Sequence, residues 1–343
     1  MASVWTRGGG RATNLALLGL LPSALVSGAV AFALGSGWAT WALAVHGVVA
    51  FAIVVLGPWK AGITRRGIRR RKAGRAWPSI ALAVLAVVVL VTGIGHSTGL
   101  LRSVGSVTAM QIHVGAALGL IPFLLWHALA RPVRPRRFDV SRRTILRSGA
   151  LLAGSGLAYA GAGAIVRFGG LPGDARRYTG SYEAARFDPG SMPVTQWLDD
   201  RMPSIDPARW TLTVSRPGET RVWKLDELAA FDDRLQSTLD CTGGWYSTQE
   251  WSGVVLSRLL PDAASARCIE VASATGYGRR FPASDAPHLL LALRLGGQPL
   301  APGHGFPARL VAPGRRGFWW VKWITRVETS DTPWWWQPPF PLS

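Results

Sequence analysis

The first half of the chain consists of long apolar segments separated by short basic ones. No charged residue lies between Arg11 and Lys60, and that run of 48 residues is interrupted only by Gly35-Ser36-Gly37. A helix needs about 20 apolar residues to cross a bilayer core. Five segments approach or reach that length: residues 14–34, 38–56, 80–94, 108–130 and 148–166. One such segment alone is typical of a buried soluble helix, but five in succession predict an all-α transmembrane bundle of five helices.

The second half has the pattern of a compact domain built from short elements. Alternating apolar and polar positions, typical of strands, occur at residues 210–214, 268–271 and 309–311. Short helices are predicted at residues 226–230 and 253–260. The expected organisation is a four-helix membrane domain at 1–135, a linker with the fifth helix at 136–170, and a C-terminal domain at 171–343.

The charge of the chain lies mostly beside the apolar segments. The 343 residues carry 38 Lys and Arg against 19 Asp and Glu, a net charge of +19. Residues 1–150 account for +17 of it, whereas residues 151–343 carry only +2. Fifteen basic residues fall in the loops before the third and fifth helices. Such loops stay on the cytoplasmic side of a membrane, so we predict a multi-pass protein of the cell membrane with an extracytoplasmic C-terminal domain. No nucleic acid partner is needed to explain the charge.

A short motif before the fifth helix indicates the export route. Ser141-Arg142-Arg143-Thr144-Ile145-Leu146-Arg147 resembles the twin-arginine consensus S-R-R-x-F-L-K, and a weakly apolar helix follows it,. The twin-arginine export machinery carries folded proteins, so we expect the C-terminal domain to fold in the cytoplasm around a cofactor loaded there. Cleavage at Ala158-Tyr159-Ala160 is one alternative. Retention of the fifth helix as an anchor is the other, and it is favoured.

Four of the six histidines lie in the membrane half: His46, His96, His113 and His127. Ionisable side chains inside membrane spans are costly and mark functional sites. Counted from the outer ends of their helices, His46 lies about 12 Å deep and His113 about 9 Å deep, which predicts that they ligate one haem b. The spacing of His113 and His127 resembles that of b-type cytochromes with two stacked haems. Polar packing between helices is the alternative, and it is preferred for His127.

Two motifs in the C-terminal domain carry candidate chemistry. The first, Leu239-Asp240-Cys241-Thr242-Gly243-Gly244-Trp245, places a cysteine at a predicted strand end before two glycines. A thiolate there is able to bind a metal, and glycines let a bulky cofactor approach closely. The second motif runs from His304-Gly305-Phe306-Pro307-Ala308-Arg309 to Lys322-Trp323. Its histidine, arginine and lysine suit a phosphate-bearing ligand.

Together with Trp251-Ser252-Gly253-Val254 and Gly276-Tyr277, these motifs resemble the sulfite oxidase family of molybdopterin-dependent oxidoreductases over roughly residues 186–328. The resemblance implies an α+β domain around one molybdenum-molybdopterin cofactor, with Cys241 as the molybdenum ligand. It implies catalytic roles for Cys241, Tyr277 and Trp245. It assigns cofactor binding to Tyr182, Glu183, Thr275, His304, Arg309, Val321 and Lys322. The pocket is expected to be lined by Trp245, Tyr246, Tyr277 and Arg279.

Departures from the family favour one branch of it. Gly243-Gly244-Trp245-Tyr246 replaces the Asn- and Arg-rich stretch that follows the cysteine in animal and plant sulfite oxidases and suits an anionic substrate. The motif is more similar to the catalytic subunit of bacterial periplasmic methionine sulfoxide reductases. We therefore predict oxygen-atom transfer on an S-oxide or N-oxide, methionine sulfoxide first, with electrons relayed from quinone through the membrane domain. Sulfite dehydrogenation with the opposite electron flow is one alternative. A non-catalytic cofactor-binding or electron-carrier protein is another.

Three smaller expectations complete the sequence-based description. A disulfide between Cys241 and Cys268 is the alternative to a metal-binding thiolate outside the cell. The tryptophan-rich tail at residues 334–339 is expected to pack on the C-terminal domain, with the membrane interface as the other possibility. The chain is expected to be a monomer, because the family's C-terminal dimerisation domain has no counterpart after Trp323.

Overall fold

A computed structural model describes residues 5–69, 77–136, 139–198 and 200–341 of the chain. It divides into two compact units. The first comprises Met1–Phe32 with Gly37–Gly180, and the second comprises Ala33–Ser36 with Ser181–Ser343. Part of the basic loop before the third helix, residues 70–76, and Arg137 in the next basic loop lie outside the described residues.

The first unit is built from long helices, which are α1 (Trp5–Ala33), α2 (Ala39–Arg69), α3 (Trp77–Thr98), α4 (Ala109–Ala130) and α5 (Arg142–Phe168). A small hairpin of β1 (Ser103–Val104) and β2 (Val107–Thr108) joins α3 to α4. Among the described residues, five helices are long and apolar enough to span a membrane,, in agreement with the five predicted segments. Four of them begin earlier or end later than predicted, so the helices extend past their apolar cores into the flanking residues.

Local hydrogen bonds define where two of these helices begin. At α4, Gln111 N–H donates to Thr108 Oγ1 at 3.1 Å and Thr108 N–H donates to Gln111 Oε1 at 2.8 Å, a reciprocal cap,. At α5, Thr144 N–H donates to Ser141 Oγ at 3.2 Å,. The two arginines of the predicted export motif, Arg142 and Arg143, therefore lie in the first turn of α5 and are continuous with its apolar part.

An apolar stripe faces outward on α3. Val84, Val87, Val91 and Ile94 follow the spacing of one helix face, and each is 55–58% exposed,. Soluble helices turn such a face inward, so this surface suits contact with lipid tails.

The second unit is mainly β-structure. Its described strands are β3 (Tyr182–Glu183), β4 (Thr211–Arg216), β5 (Glu219–Lys224), β6 (Asp233–Cys241), β7 (Trp245–Val255), β8 (Cys268–Ser273), β9 (Gly278–Pro282), β10 (Leu290–Leu295), β11 (Gln298–Pro299), β12 (Arg309–Val311) and β13 (Ile324–Ser330). Two short helices, α6 (Leu225–Ala229) and α7 (Leu256–Leu259), lie between them. Short 3-10 turns, among them Pro302–His304 and Gly317–Trp319, connect the strands near the site.

These strands form two mixed sheets. In the first, the order is β11-β10-β7-β3, with β12 also paired to β10 and β6 to β7. In the second, the order is β5-β4-β13-β8-β9. The β3–β7 and β13–β4 pairs are parallel, whereas the long β6–β7 hairpin is antiparallel and ends where Cys241 faces Trp245. Mixed sheets with a few short helices match the predicted α+β class.

Apolar residues of both sheets share one core. Trp251 on β7, Phe281 on β9 and Leu310 on β12 are fully buried. Burial of a side chain of this size stabilises the fold by roughly 1.5–3 kcal/mol. The core thus holds the ends of β6 and β12 in place, and both ends carry residues of the predicted site.

Most of the predicted short elements agree with the structure to within a few residues, at 210–214, 226–230, 268–271 and 309–311. The helix predicted at 253–260 is wrong in its first three residues, because residues 253–255 are the end of β7. Gly253 packs so closely on β10 that a Cβ there would lie 2.0 Å from the carbonyl oxygen of Leu291. Sheet pairing therefore decides the conformation of this segment.

Candidate functional site

Cys241 lies at the end of β6, in the turn that joins β6 to β7. Gly244 has a φ of 88°, which lets the chain turn back so that Trp245 pairs with Cys241,. Gly243 N–H donates to Cys241 Sγ at 3.3 Å. A side chain at position 243 would begin 3.5 Å from that sulfur, so glycine here keeps the approach to the thiol open.

A cavity of about 620 Å³, counting its solvent-filled mouth, lies over Cys241. Six of the predicted site residues line it: Cys241, Trp245, Tyr277, His304, Arg309 and Lys322. They come from β6, β7, the β8–β9 turn, β12 and the loops on either side of β12. The fold therefore brings together residues that lie up to 81 positions apart in sequence.

Arg309 is a buried cation at the floor of this cavity. Its side chain is 1% exposed, and its guanidinium lies between the rings of Trp251 and Trp320, 5.0 and 5.6 Å from the ring centres. It donates to the carbonyl oxygens of His304 at 3.1 Å and Trp320 at 3.4 Å, while its buried Nε has no hydrogen-bond partner. Burial lowers the pKa of this guanidinium to about 9,.

Lys322 is a second buried cation held by neutral oxygens. Its Nζ donates to Thr195 O at 2.9 Å, Gln196 Oε1 at 2.8 Å and Gly303 O at 2.7 Å. Burial lowers its pKa to about 7, and the charge of Arg309 adds to this shift,.

His304 lies beside both cations as a neutral group. Burial, followed by the charges of Arg309 and Lys322, lowers its pKa to about 4. Its Nε2 lies 3.1 Å from the carbonyl oxygen of Met192, so Nε2 carries the hydrogen and Nδ1 carries a lone pair. This corner of the cavity offers two positive charges and one neutral imidazole.

Burial also governs the Cys241 thiol. It raises the pKa of the thiol, and the Gly243 N–H, the Thr195 hydroxyl and the positive charges of Arg316 and Lys322 oppose that shift. A bound metal cation would favour the thiolate further. Sulfur, buried cations and an open volume together suit an anionic ligand that contains a metal.

Residues 200–336 match the family described as the oxidoreductase molybdopterin-binding domain. The second unit carries a molybdopterin-binding oxidoreductase domain. Mitochondrial sulfite oxidase of Mus musculus is 31% identical over 167 residues, which cover 38% of this chain and 31% of the mouse protein. A nitrate reductase [NAD(P)H] of Hordeum vulgare is 40% identical over 114 residues, which cover 28% of this chain and 13% of the barley protein.

Among solved structures, the sulfane dehydrogenase SoxCD from Paracoccus pantotrophus matches with a TM-score of 0.36 and 25% identity. That match covers 38% of this chain and 40% of the other. The chain spans less than a third of the length of the curated sulfite oxidases and nitrate reductase named above.

Four residues predicted to bind the cofactor lie outside the lining of the cavity in this domain. Tyr182 is buried, and its N–H donates to Gly244 O at 3.0 Å, which braces the cysteine turn. Glu183 and Thr275 are exposed, the latter in the β8–β9 turn. Val321 is fully buried, and its carbonyl oxygen accepts the Leu310 N–H at 2.8 Å. The structure therefore gives Tyr182 and Val321 supporting positions around the cavity.

The predicted aromatic pocket is half right. Trp245 and Tyr277 line the cavity, whereas Tyr246 and Arg279 do not. Alternation along β7 turns Tyr246 to the opposite face from Trp245. Arg279 is 3% exposed and donates to Pro338 O at 3.0 Å. Arg279 therefore lies outside the cavity lining and binds the C-terminal tail, which packs on this domain as expected.

Several residues of the cavity carry no signal in the sequence. Thr195, Gln196, Trp197 and Asp200 line one side from a loop without strand or helix periodicity. Thr195 Oγ1 accepts the Trp245 Nε1–H at 3.2 Å. No sequence motif marks this loop, because its position in the cavity depends on contacts with residues that are distant in sequence.

The disulfide alternative for Cys241 is wrong. Both cysteines are free and buried, and they lie in different sheets, Cys241 on β6 and Cys268 on β8. Cys268 is fully buried within its strand. The Cys241 thiol is therefore available to the cavity.

A second candidate site lies within the helical unit, where His46 on α2 and His113 on α4 come together. Their ring centres are 6.0 Å apart and their planes are nearly perpendicular, at 81°. His46 Nδ1 lies 3.0 Å from Ala24 O on α1, and His113 Nδ1 lies 2.9 Å from Val89 O on α3. Each Nδ1 must donate to its carbonyl, so each Nε2 carries the lone pair that ligates metals.

A glycine faces each of these rings. A Cβ at Gly28 on α1 would lie 3.1 Å from the His46 ring, and one at Gly93 on α3 would lie 3.0 Å from the His113 ring. The two helix pairs, α1–α2 and α3–α4, thus repeat one arrangement of histidine, carbonyl and glycine.

His96 and His127 occupy other positions on these helices. His96 is buried near the end of α3, with Nε2 3.0 Å from Gly180 O. His127 lies in the last turn of α4. The facing pair predicted for ligation is therefore the pair that the helices bring together.

Proposed function

We propose that this chain is a membrane-anchored molybdopterin-dependent oxidoreductase that removes an oxygen atom from an S-oxide or N-oxide, with methionine sulfoxide as the first substrate to test. The observation that carries the proposal is the cavity that unites Cys241, Arg309 and Lys322 in a molybdopterin-binding oxidoreductase domain. The similarity to sulfite oxidase and nitrate reductase supports oxidoreductase chemistry.

The donor set of the cavity fits the anionic cofactor. Arg309 and Lys322 are buried cations whose hydrogen bonds go to neutral oxygens, and Arg309 Nε is unpartnered. A phosphate group would supply the negative charge that they lack. Cys241 would bind molybdenum through its thiolate, and His304 Nδ1 would accept a hydrogen bond from the pterin.

When bound, the cofactor supplies a metal centre that alternates between two oxidation levels two electrons apart. In the overall reaction a sulfoxide takes up two protons and two electrons, its S–O bond breaks, and the products are a sulfide and one water molecule. Burial raises the pKa of Tyr277, so its hydroxyl stays protonated. The hydrogen bond that this hydroxyl donates to Phe318 O fixes its orientation. The indole rings of Trp245 and Trp320 exclude bulk water from the cavity,.

The charges around the cavity support a neutral substrate. Among the described lining residues, Asp200 is the charged side chain left after Cys241, His304, Arg309 and Lys322 are assigned to the cofactor. A carboxylate repels an anion such as sulfite but tolerates a neutral sulfoxide. Sulfite oxidation stays the second candidate, because sulfite oxidases are among the similar proteins.

For electron supply, we infer that His46 and His113 hold one haem b in the helical unit. The two imidazoles would hold the iron through the Nε2 lone pairs that their Nδ1 hydrogen bonds leave available,, and the haem would supply a one-electron carrier. The ring centres lie 6.0 Å apart, which brings both side chains to one place in the helical unit. Gly28 and Gly93, which leave room beside the two rings, support this arrangement. The relay would take electrons from a membrane quinone.

The remaining parts of the proposal concern location and assembly. Five helices of sufficient length and the arginine-rich loops support a multi-pass membrane protein with its catalytic domain outside the cytoplasm,. The Ser141-Arg142-Arg143 turn supports export of the folded domain by the twin-arginine machinery. We propose that one chain suffices for activity, as a monomer.

Metal and haem analysis of the purified full chain tests this proposal, followed by two dye assays. Sulfoxides and N-oxides are tested by the oxidation of a reduced dye, and sulfite is tested by the reduction of an oxidised dye. We expect one molybdenum per chain and turnover with a sulfoxide. Cys241→Ala should abolish turnover, and Cys268→Ala is the matched control that should retain it. Full turnover in the Cys241 variant would contradict the catalytic role, and turnover with sulfite alone would favour the second candidate.

The relay has its own test in the reduced-minus-oxidised spectrum. We expect a b-type haem band in the full chain that disappears in His46→Ala and in His113→Ala but persists in His127→Ala. Absence of the band from the unsubstituted protein would overturn the relay and leave the molybdenum proposal standing.

A further inference from the structure

A buried ion pair lies directly behind the cysteine turn. Arg316 Nη1 and Asp240 Oδ1 are 2.5 Å apart, with side chains only 3% and 4% exposed. Asp240 immediately precedes Cys241 on β6, and Arg316 lies in the loop after β12, where an isolated bridge pairs the two residues. Neither residue belongs to the group assigned to the cofactor.

Further hydrogen bonds connect this pair to the metal-binding cysteine. Arg316 Nη2 donates to the carbonyl oxygen of Cys241 at 3.2 Å, and Ser181 Oγ donates to Asp240 Oδ1 at 2.8 Å. Gly317 packs against the same turn, where a Cβ would lie 3.2 Å from Cys241 Cα. The Arg316 loop therefore contacts the backbone of Cys241 closely.

Stability alone does not explain such a pair. Burying two charges costs several kcal/mol each, and apolar residues of similar volume often stabilise a fold equally well or better. Arg316 Nε is moreover buried without a partner. The neighbouring Arg315, by contrast, makes an ordinary half-buried pair with Asp285 at 3.0 Å.

We propose that the Arg316–Asp240 pair is a positioning device that holds the Cys241 backbone and sets how strongly its thiolate donates electrons to molybdenum. This role rests on the proposed function, in which Cys241 ligates the metal. Arg316 brings a positive charge next to the Cys241 backbone, 3.2 Å from its carbonyl oxygen. Asp240 neutralises most of that charge.

The two members of the pair should act in opposite directions. Asp240→Asn leaves the Arg316 charge unbalanced, which stabilises the reduced metal and raises its midpoint potential. Arg316→Gln leaves the Asp240 charge unbalanced, which destabilises the reduced metal and lowers the potential. A purely structural role would disturb the turn in both variants and would shift both potentials the same way.

The test is a redox titration of the full chain, followed by the electron paramagnetic resonance signal of the intermediate molybdenum level. The energy of the cysteine-to-molybdenum charge-transfer band is the second readout. We expect the band to move to longer wavelength in Arg316→Gln and to shorter wavelength in Asp240→Asn. Arg315→Gln is the matched control, since it removes an arginine from the same loop without touching Cys241, and it should change neither readout.

Arg316→Lys keeps the positive charge but loses the forked geometry of the guanidinium. Because it is the more conservative change, it keeps the test valid where Arg316→Gln does not fold. Its potential should lie nearer the unsubstituted value than that of Arg316→Gln, and equal shifts in these two variants would overturn the electrostatic role. Shifts of one sign in Arg316→Gln and Asp240→Asn, or no shift in variants that bind molybdenum, would also overturn it. Absence of molybdenum from the unsubstituted chain would instead overturn the proposed function, and this role with it.

Discussion

Replacing Arg309 with methionine should separate two effects of its buried charge, the cost to folding stability and the contribution to cofactor binding. Burial lowers the pKa of the guanidinium from 12.5 to about 9, and at about 1.4 kcal/mol per pKa unit this is roughly 5 kcal/mol against the charged form. Methionine has a similar length and no charge. The substitution leaves the carbonyl oxygens of His304 and Trp320 without their donor, at roughly 2 kcal/mol each.

The guanidinium also loses its contacts with the Trp251 and Trp320 rings, worth about 1 kcal/mol, so the opposing terms nearly cancel. The cofactor-free full chain with Arg309→Met should therefore melt within about 2–4 °C of the unsubstituted chain. Cofactor binding, by contrast, should weaken. Loss of charge-assisted hydrogen bonds worth about 1.5–3 kcal/mol each should lower molybdenum retention at least about tenfold.

The assay is thermal unfolding followed by tryptophan fluorescence, together with molybdenum analysis after purification. Arg326→Met is the control, because Arg326 is 46% exposed and pairs with Glu328 at the surface, so neither quantity should change. A cofactor-free Arg309 variant that melts several degrees lower would refute the reasoning, since Arg309 would then be a structural residue. Full molybdenum retention would refute its role toward the cofactor.

Three further predictions follow from the same structure. Lys322 has a pKa of about 7 in the cofactor-free fold against 10.5 ordinarily, so between these two pH values it loses its proton in the folded chain and keeps it in the unfolded chain. The cofactor-free protein should therefore gain stability from pH 7 to 10.5 in denaturant titrations, and Lys322→Met should lack that slope,. Gly93→Val should remove the haem band because the added methyl groups meet the His113 ring, whereas Gly119→Val, with nothing within 4 Å, should retain it. Tyr277→Phe should keep its molybdenum, but loss of the hydrogen bond from the Tyr277 hydroxyl to Phe318 O should lower turnover about tenfold. Unchanged turnover would exclude a role of the hydroxyl in the reaction.

The helical unit could be predicted closely because its signal is local. Apolar length alone identifies the five helices, and the depth of His46 and His113 along their helices predicts that they meet. The hydrogen bonds from these rings to Ala24 and Val89 could not be predicted. They depend on how α1 and α3 are rotated against their neighbours, which no pattern within one helix determines.

The cavity could be predicted only in part, because half of its wall depends on contacts between distant residues. Cys241, His304 and Arg309 lie in recognisable motifs. Thr195, by contrast, meets Lys322 across 127 positions of sequence. Arg315 and Arg316 are adjacent and chemically identical, yet Arg315 makes a half-buried pair with Asp285 and Arg316 makes a fully buried pair behind Cys241. The two arginines differ in how deeply their side chains are buried, and burial is a property of the folded chain.

The repeated arrangement in the two helix pairs has a consequence for biogenesis. The α1–α2 hairpin contributes His46 with Gly28, and the α3–α4 hairpin contributes His113 with Gly93. Each hairpin thus carries one imidazole of the proposed haem site, with the tautomer fixed by a carbonyl oxygen of the same hairpin. A haem ligated by both imidazoles would join the two hairpins, so that the supply of haem would affect the assembly of the bundle.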